Sequence, residues 1–267
     1  MTDWDARDYV AHSAAQQEWA RELIAKLRLL GDEAVLDIGC GDGRVTALIA
    51  ERLPEGSVLG IDASPSMIAL AQEQFPPGDY PTVSFRQMDA RCLELPPAFE
   101  VAFSTAALHW VDDHEAVLGG VRRSLRPEGR LLFQMGGRGN LAEAWAVGEE
   151  VIARPRWRAY FADFPSPYHF HTPEDYEVWL PRAGFRVARA ELFPKDMPHA
   201  GRGAFLGWLR TTWFAYTDRL PAELRDAFCD EVADAYTALR PPDADGVIHV
   251  QMMRLEVEAT VASAPAG

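Results

Sequence analysis

The chain is poor in cysteine and in basic residues. Its three cysteines, Cys40, Cys92 and Cys229, are odd in number and far apart, which supplies neither a disulfide framework nor the spacing of a metal site. They read as small buried side chains. Lys and Arg total 26 against 40 Asp and Glu, for a formal net charge of −14 and a pI near 4.9. A surface so short of positive charge argues against nucleic acid and against an anionic membrane, because both are gripped through basic patches. No apolar run approaches the length of a membrane span, and Met1-Thr2-Asp3-Trp4-Asp5 lacks the basic region and apolar core of a leader. The expectation is a cytoplasmic protein. A G-x-S-x-G elbow, a Walker glycine loop and metal-spaced His or Cys groups are also missing, so no metal ligand is assigned. His169 and His171 read as loop residues.

What is present is a globular composition, 48% hydrophobic and 25% charged over 267 residues, long enough for a sizeable core. It is organised around Val35-Leu36-Asp37-Ile38-Gly39-Cys40-Gly41-Asp42-Gly43-Arg44. Ala34 to Ile38 reads as a buried strand, the glycines at 39, 41 and 43 as a turn, and Val45, Leu48, Ile49 and Leu53 as one face of a helix. Glycines of this kind let backbone approach a ligand, and the helix behind them aims its first N–H groups into the same space. Ser57 to Ile61 is a second strand ending in Asp62, where a carboxylate can accept both hydroxyls of a ribose. A dinucleotide turn would be spaced G-x-G-x-x-G. Here the spacing is G-x-G-x-G with Asp37 before it and Asp42 inside it, which would repel a diphosphate and suits a cationic amino-acid ligand.

Further elements follow in alternation. Ala14 to Leu29 is an amphipathic helix on Trp19, Leu23, Leu27 and Leu30. Ser64 caps a helix that begins at Pro65 and puts Met67 in its first turn. Val83 to Gln87 is a strand leading to Asp89 and Ala90. Phe99 to Ser104 is the fourth strand, and Thr105, His109 and Trp110 leave its carboxyl end, where open α/β sheets place ligands. Gly129 to Gln134 is the fifth strand, Phe185 to Leu192 the sixth. Met253, Leu255, Val257 and Ala259 alternate with polar residues, the period of a half-buried strand that closes the sheet.

The glycine stretch resembles the first motif of the class I S-adenosylmethionine-dependent methyltransferases, and Asp62 resembles their ribose acid. Tyr9, Ser13 and Gln16 are similar to an N-terminal segment that folds over the cofactor in that family, and Asp89 resembles the acid that accepts the adenine amino group. Leu108-His109-Trp110-Val111 followed by Leu-Arg-Pro-x-Gly is similar to the methyltransferases of small acids, notably the trans-aconitate methyltransferase group. The resemblance implies S-adenosyl-L-methionine as cofactor, held by Gln16, Asp37, Gly39, Gly41, Asp62, Ala63, Met67, Asp89, Ala90 and Thr105. It implies one Rossmann-like α/β domain with a seven-stranded, mostly parallel sheet, helices on both faces and a helical lid. The cofactor core spans about 30–135, the lid insertions about 138–171 and 195–245, and the sheet is completed by about 185–192 and 247–260.

Methyl transfer is an in-line displacement that needs positioning above all. An ionised carboxylate needs no general base, whereas a phenol, alcohol or amine would make His109 the first candidate base. His109 and Trp110 are therefore assigned to catalysis, and Tyr168, His171, Arg210 and Trp213 to the acceptor, with Arg210 and Trp213 lining one pocket on a shared helix. The expected partner is a small-molecule acceptor, with the chain a monomer or homodimer. A nucleotide oxidoreductase and a non-catalytic cofactor-binding module are the competing readings.

Overall fold

A computed structural model of the chain describes residues 14–263. The helices are α1 (Ala14–Lys26), α2 (Arg44–Ala50), α3 (Pro65–Gln74), α4 (His114–Ser124), α5 (Ala142–Ile152), α6 (Pro173–Arg182), α7 (Gly201–Thr212), α8 (Phe214–Thr217) and α9 (Ala222–Leu239). The strands are β1 (Ala34–Ile38), β2 (Ser57–Asp62), β3 (Val83–Gln87), β4 (Phe99–Thr105), β5 (Leu125–Gly136), β6 (Phe185–His199) and β7 (Ile248–Val261). They form one sheet in the order β3-β2-β1-β4-β5-β7-β6. Pairing is parallel from β3 through β5, and β7 joins β5 antiparallel. The order reverses beside β1, where β2 lies on one side and β4 on the other, and the crevice at such a reversal is where ligands bind.

The chain divides into two compact units. The larger, Ala14–Arg138 with Tyr168–Phe193 and 254–263, holds the parallel strands. One face of its sheet buries Leu36, Ile38, Phe133, Leu255 and Val257 together with Val117, Val121 and Tyr176 from α4 and α6. The other buries Val35, Val101, Phe103 and Leu132 against Leu23, Ile24 and Leu27 of α1 and Ile49 of α2. Local chemistry fixes the helix starts. Ser64 Oγ accepts the Met67 N–H at 3.2 Å with Pro65 in the first turn, and Thr172 and Asp175 form a reciprocal capping box.

The smaller unit joins Gly139–Pro167 to Pro194–Met253, so the two sequence insertions fold with each other. Its centre is aromatic: Trp145 and Trp213 stack with ring centroids 4.3 Å apart. Gly148 permits this approach, since a Cβ there would stand 2.6 Å from the Trp213 ring. Glu231 accepts the Trp157 indole N–H and pairs with Arg154 and Arg156, which explains the basic aromatic cluster at 154–158.

Several boundaries differ from the sequence reading. β5 starts at Leu125 and β6 runs on to His199, because hydrogen bonding to neighbours extends a strand past its apolar run. β7 is not half-buried: Arg254 and Glu256 are 3% and 0% exposed, as closed off as Leu255 and Val257. Cys40 and Cys229 are buried, Cys92 exposed. Among the described residues no helix is long and apolar enough to cross a membrane.

Candidate active site

The three glycines of the first turn all have positive φ, and each answers a different demand. A Cβ on Gly39 would lie 2.2 Å from the Ala107 Cβ, and one on Gly43 would lie 2.6 Å from the Phe85 ring. Both are packing constraints. A Cβ on Gly41 would meet nothing within 4 Å, so this position alone opens onto space that a ligand can fill. The turn is held by the Gly39 and Cys40 N–H groups donating to the Ile61 carbonyl at 2.8 and 2.9 Å, which brings β2's end against β1's.

Asp62 lies at that end, partly exposed. One of its oxygens accepts the Gly41 N–H at 3.0 Å and the other the Ser64 N–H at 2.9 Å. A carboxylate has roughly four acceptor sites, so acceptor capacity remains for a diol. Burial pushes its carboxyl above the ordinary carboxylate range, although the Ser64, Gly41 and Ala63 N–H groups oppose this. Asp37 is 1% exposed and accepts the Thr46 hydroxyl at 2.6 Å. Burial and the Asp62 charge push it up to about 7, against the lowering effect of Thr46. Asp42 is tied to Arg44 at 2.7 Å. The first turn thus gathers three acids, one paired with Arg44 and two held above the ordinary carboxylate range.

Beyond β4, Ala106 takes a left-handed φ of 55° and Leu108–Trp110 form a single 3₁₀ turn. His114 fastens this turn from below: its Nε2–H donates to the Leu108 and Val111 carbonyls at 3.0 and 3.1 Å, and its Nδ1 accepts the Tyr176 hydroxyl at 2.6 Å. That bond pattern assigns the neutral tautomer. His109 Nδ1 faces the Gly136 N–H at 3.4 Å, which leaves Nε2–H as a donor. Burial, with Arg254 and His114, brings the His109 pKa down to about 3. The His169 N–H donates to the His109 carbonyl at 2.8 Å, and the Tyr168 ring packs 4.4 Å from Trp110 and 6.1 Å from His109. Phe170 stacks on Tyr168 at 5.7 Å. An aromatic wall of Trp110, Tyr168 and Phe170 therefore flanks a neutral imidazole at the carboxyl ends of β4 and β5.

The structure brings together Asp37, Gly39, Gly41, Asp62, Ala63 and, across the reversal, Thr105, His109, Trp110 and Tyr168. It corrects other assignments. Arg210 is on the exposed side of α7, paired with Asp226 at 3.0 Å, whereas Trp213 is 1% exposed. The two side chains have different environments although Trp213, the C-cap of α7, still donates its N–H to the Leu209 carbonyl at 2.9 Å. Met67 is 3% exposed, which leaves little thioether surface for an adenine. Asp89 accepts from the Arg91 guanidinium at 2.7 Å and from its N–H, so an adenine amino group would compete with that pair; Ala90 opens the 3₁₀ turn beside it. His171 is turned towards His114 and Trp179, with ring centroids at 4.3 and 4.8 Å, and supports the floor of the turn. The side chain of Gln16 falls outside the described residues. Sequence reading missed His114, Tyr176 and Arg254; the only available sign was a histidine one turn after His109-Trp110.

Comparison with known proteins agrees with this geometry. A family described as a methyltransferase domain matches residues 35–129. The trans-aconitate 2-methyltransferase of Methylobacterium nodulans is 32% identical over 260 residues, covering 96% of this chain and 97% of the relative. The enzyme of the same name from Methylobacterium radiotolerans is 29% identical, with 98% and 100% covered. Among solved structures, the YcgJ protein of Bacillus subtilis overlays with a TM-score of 0.61 at 16% identity, covering 93% of this chain and all of that one. Haemonchus contortus phosphoethanolamine N-methyltransferase 2, solved with S-adenosylhomocysteine, has a TM-score of 0.58 at 18% identity over 92% of this chain and 53% of its own. The chain belongs to the class I S-adenosylmethionine-dependent methyltransferases, within the group of the trans-aconitate 2-methyltransferases. It is an enzyme, and S-adenosylmethionine is its cofactor.

The residues present fit that cofactor. The open space at Gly41, the spare acceptor capacity of Asp62 and a turn made negative by Asp37, Asp42 and Asp62 suit a ribose joined to a cationic amino acid. A diphosphate would be repelled from the same place.

Proposed function

We propose that this enzyme methylates a carboxylate of a small polycarboxylic acid, trans-aconitate being the first candidate from the names of its relatives. When bound, S-adenosylmethionine supplies an electrophilic methyl: the acceptor oxygen forms the new O–C bond as the C–S bond breaks and its electron pair returns to sulfur. The observation that carries the choice of acceptor is the state of His109. Its Nδ1 is turned to a backbone N–H and burial holds its pKa near 3, so it is a poor base. A phenol, alcohol or ammonium would have to lose a proton here, whereas a carboxylate arrives ionised. The remaining Nε2–H of His109 can donate to that carboxylate and orient it, while Trp110 and Tyr168 exclude water from one side.

The functional form we assign is cytoplasmic and acts on free small molecules rather than nucleic acid. The helical unit is assigned the part of a lid, since in sequence both its segments follow strands of the ligand-binding sheet. Slower hydrogen exchange in 139–167 and 194–253 with both ligands present tests that assignment, and unchanged exchange removes it. The acceptor reading is tested with methyl-labelled cofactor against trans-aconitate, citrate, fatty acids, phenols and amines. Carboxyl methyl esters release labelled methanol in alkali; ethers and methylamines do not. Product label that survives alkali would overturn the carboxylate assignment.

A further inference from the structure

The turn that carries His109 and Trp110 has little to hold it from within. It is closed by two backbone bonds, the Trp110 N–H to the Ala107 carbonyl at 3.0 Å and the Val111 N–H to the Leu108 carbonyl at 2.9 Å. A 3₁₀ turn so short has poorer hydrogen-bond geometry than an α-helix and no cooperativity to draw on. Its left-handed approach at Ala106 adds strain. The side chain beneath it is His114, the first residue of α4 and 2% exposed. His114 Nε2 reaches the Leu108 and Val111 carbonyls together, and two acceptors require a hydrogen on that nitrogen. Burial, with the His171 and His169 rings, brings the His114 pKa down to about 4, so the imidazole is neutral and Nδ1 is a bare acceptor. Tyr176, wholly buried, meets Nδ1 at 2.6 Å, and burial pushes its phenol up, so the hydroxyl keeps the proton that this bond needs. The same hydroxyl lies 3.4 Å from the sulfur of Met135, the strand residue before Gly136, whose N–H faces His109.

We propose that His114 and Tyr176 are a positioning pair: by fixing one imidazole tautomer, the Tyr176 hydroxyl fixes the Leu108 and Val111 carbonyls, and through them the place of His109 and Trp110 against the acceptor. This rests on the assignment of His109 and Trp110 to the acceptor and extends it to two buried residues beneath them. With its hydrogen on Nδ1 instead, His114 would aim a bare Nε2 lone pair at two carbonyl oxygens, and the turn would have to move away. Without the Tyr176 hydroxyl, Nδ1 is left buried and unsatisfied, and the donating tautomer loses its advantage. In-line methyl transfer is sensitive to such a shift, because misplacing a reacting group by about 1 Å can cost about a hundredfold. Asp62 and Gly41 are tied to each other and to Ser64, away from these bonds, so the effect falls on the acceptor and spares the cofactor. A pair that served packing alone would lower stability without singling out the acceptor.

The test uses Tyr176→Phe, His114→Gln and His114→Asn, assayed with trans-aconitate well below their unfolding temperatures. Tyr176→Phe removes a single oxygen and is expected to lower the acceptor kcat/KM about tenfold, with S-adenosylmethionine affinity by calorimetry within about twofold. His114→Gln sets an amide with two N–H donors where Nε2 stands and should keep kcat/KM within about threefold. His114→Asn is too short to reach the carbonyls and should lose about a hundredfold. Should His114→Asn fail to fold, Tyr176→Phe and His114→Gln decide the matter. Wild-type kcat/KM in Tyr176→Phe, His114→Asn as active as His114→Gln, or a loss shared equally by cofactor affinity and turnover overturns the proposal. Nitrogen NMR of wild type with labelled histidine needs no acceptor: His114 should show the Nε2–H tautomer, and Nδ1–H would overturn the proposal as well. Wild type that methylates phenols or amines and no acid would instead overturn the carboxylate reading, and the same variants then judge the pair on the acceptor that is turned over.

Discussion

Asp37 on β1 and Glu256 on β7 occupy the same α1-covered face of the sheet, both almost completely buried, and burial pushes both carboxyls up. The outcomes are opposite. Around Glu256 the Lys26 ammonium, the Arg189 guanidinium and the Gln134 amide overcome that penalty and hold it below the ordinary carboxylate range. Asp37 has one hydroxyl and a neighbouring carboxylate, and it is held up at about 7. Among the described residues no cation is paired with Asp37 or with Asp62. The fold therefore satisfies one buried acid with three donors and leaves two others, Asp37 and Asp62, to repel each other.

The comparison is broken most directly at Glu256. Glu256→Ala leaves Arg189 and Lys26 against a buried space and should cost about 3 kcal/mol, near the lower end for such pairs because Lys26 is 47% exposed. Urea denaturation reads this, and calorimetry should find cofactor affinity intact. Asp62→Ala should do the reverse. Losing two charge-assisted hydrogen bonds, each worth ~1.5–3 kcal/mol, should weaken S-adenosylmethionine roughly a hundredfold or more while the fold survives. An Asp62→Ala enzyme that binds as tightly as wild type would remove the ribose assignment.

Asp37→Asn sharpens the contrast through pH. The folded pKa of Asp37 is raised from 3.8 to about 7, so its proton stabilises the fold at low pH and that contribution is lost as pH rises towards 7. The variant, which cannot ionise, should gain on wild type by up to about 1.4 kcal/mol per pH unit between 4 and 7 and hold that gap above 7. Parallel stability curves would show that Asp37 does not titrate in this range. Within the first turn, Gly39→Ala should destabilise the fold, since its Cβ would overlap Ala107, whereas Gly41→Ala should chiefly weaken the cofactor. The smallest effect concerns His109. With its pKa near 3, kcat should stay flat within about twofold from pH 5.5 to 8.5. A limb near pH 6.5 would restore it as a base.

The legible parts of the molecule were those whose chemistry is local. A strand, a positive-φ turn and a helix follow from Ala34 to Leu53 alone, because glycine positions and apolar spacing act over a few residues. The position of Asp62 at the end of β2 was legible for the same reason, since it closes an apolar run. Helical spacing placed Arg210 and Trp213 near each other but could not show that Arg210 pairs with Asp226 on the exposed side while Trp213 is buried, because both partners come from elsewhere in the chain. His114 and Tyr176 were invisible as a pair, since their 2.6 Å bond joins helices that meet only in the fold.

Sequence by itself determined the parallel sheet and the gathering of Asp37, Asp42 and Asp62 around the first turn, consequences of short-range pattern and strand order. Only the tertiary structure decided which charges are satisfied. Alternation along β7 says that Arg254 and Glu256 share a face, but not whether that face is wet; α1, more than two hundred residues earlier, covers it and supplies Lys26 to one acid and Trp19 to one guanidinium. Burial multiplies the energy of every charge it encloses, so the identity of the residues that bind, rather than merely decorate, the sheet depends on contacts that no local window contains.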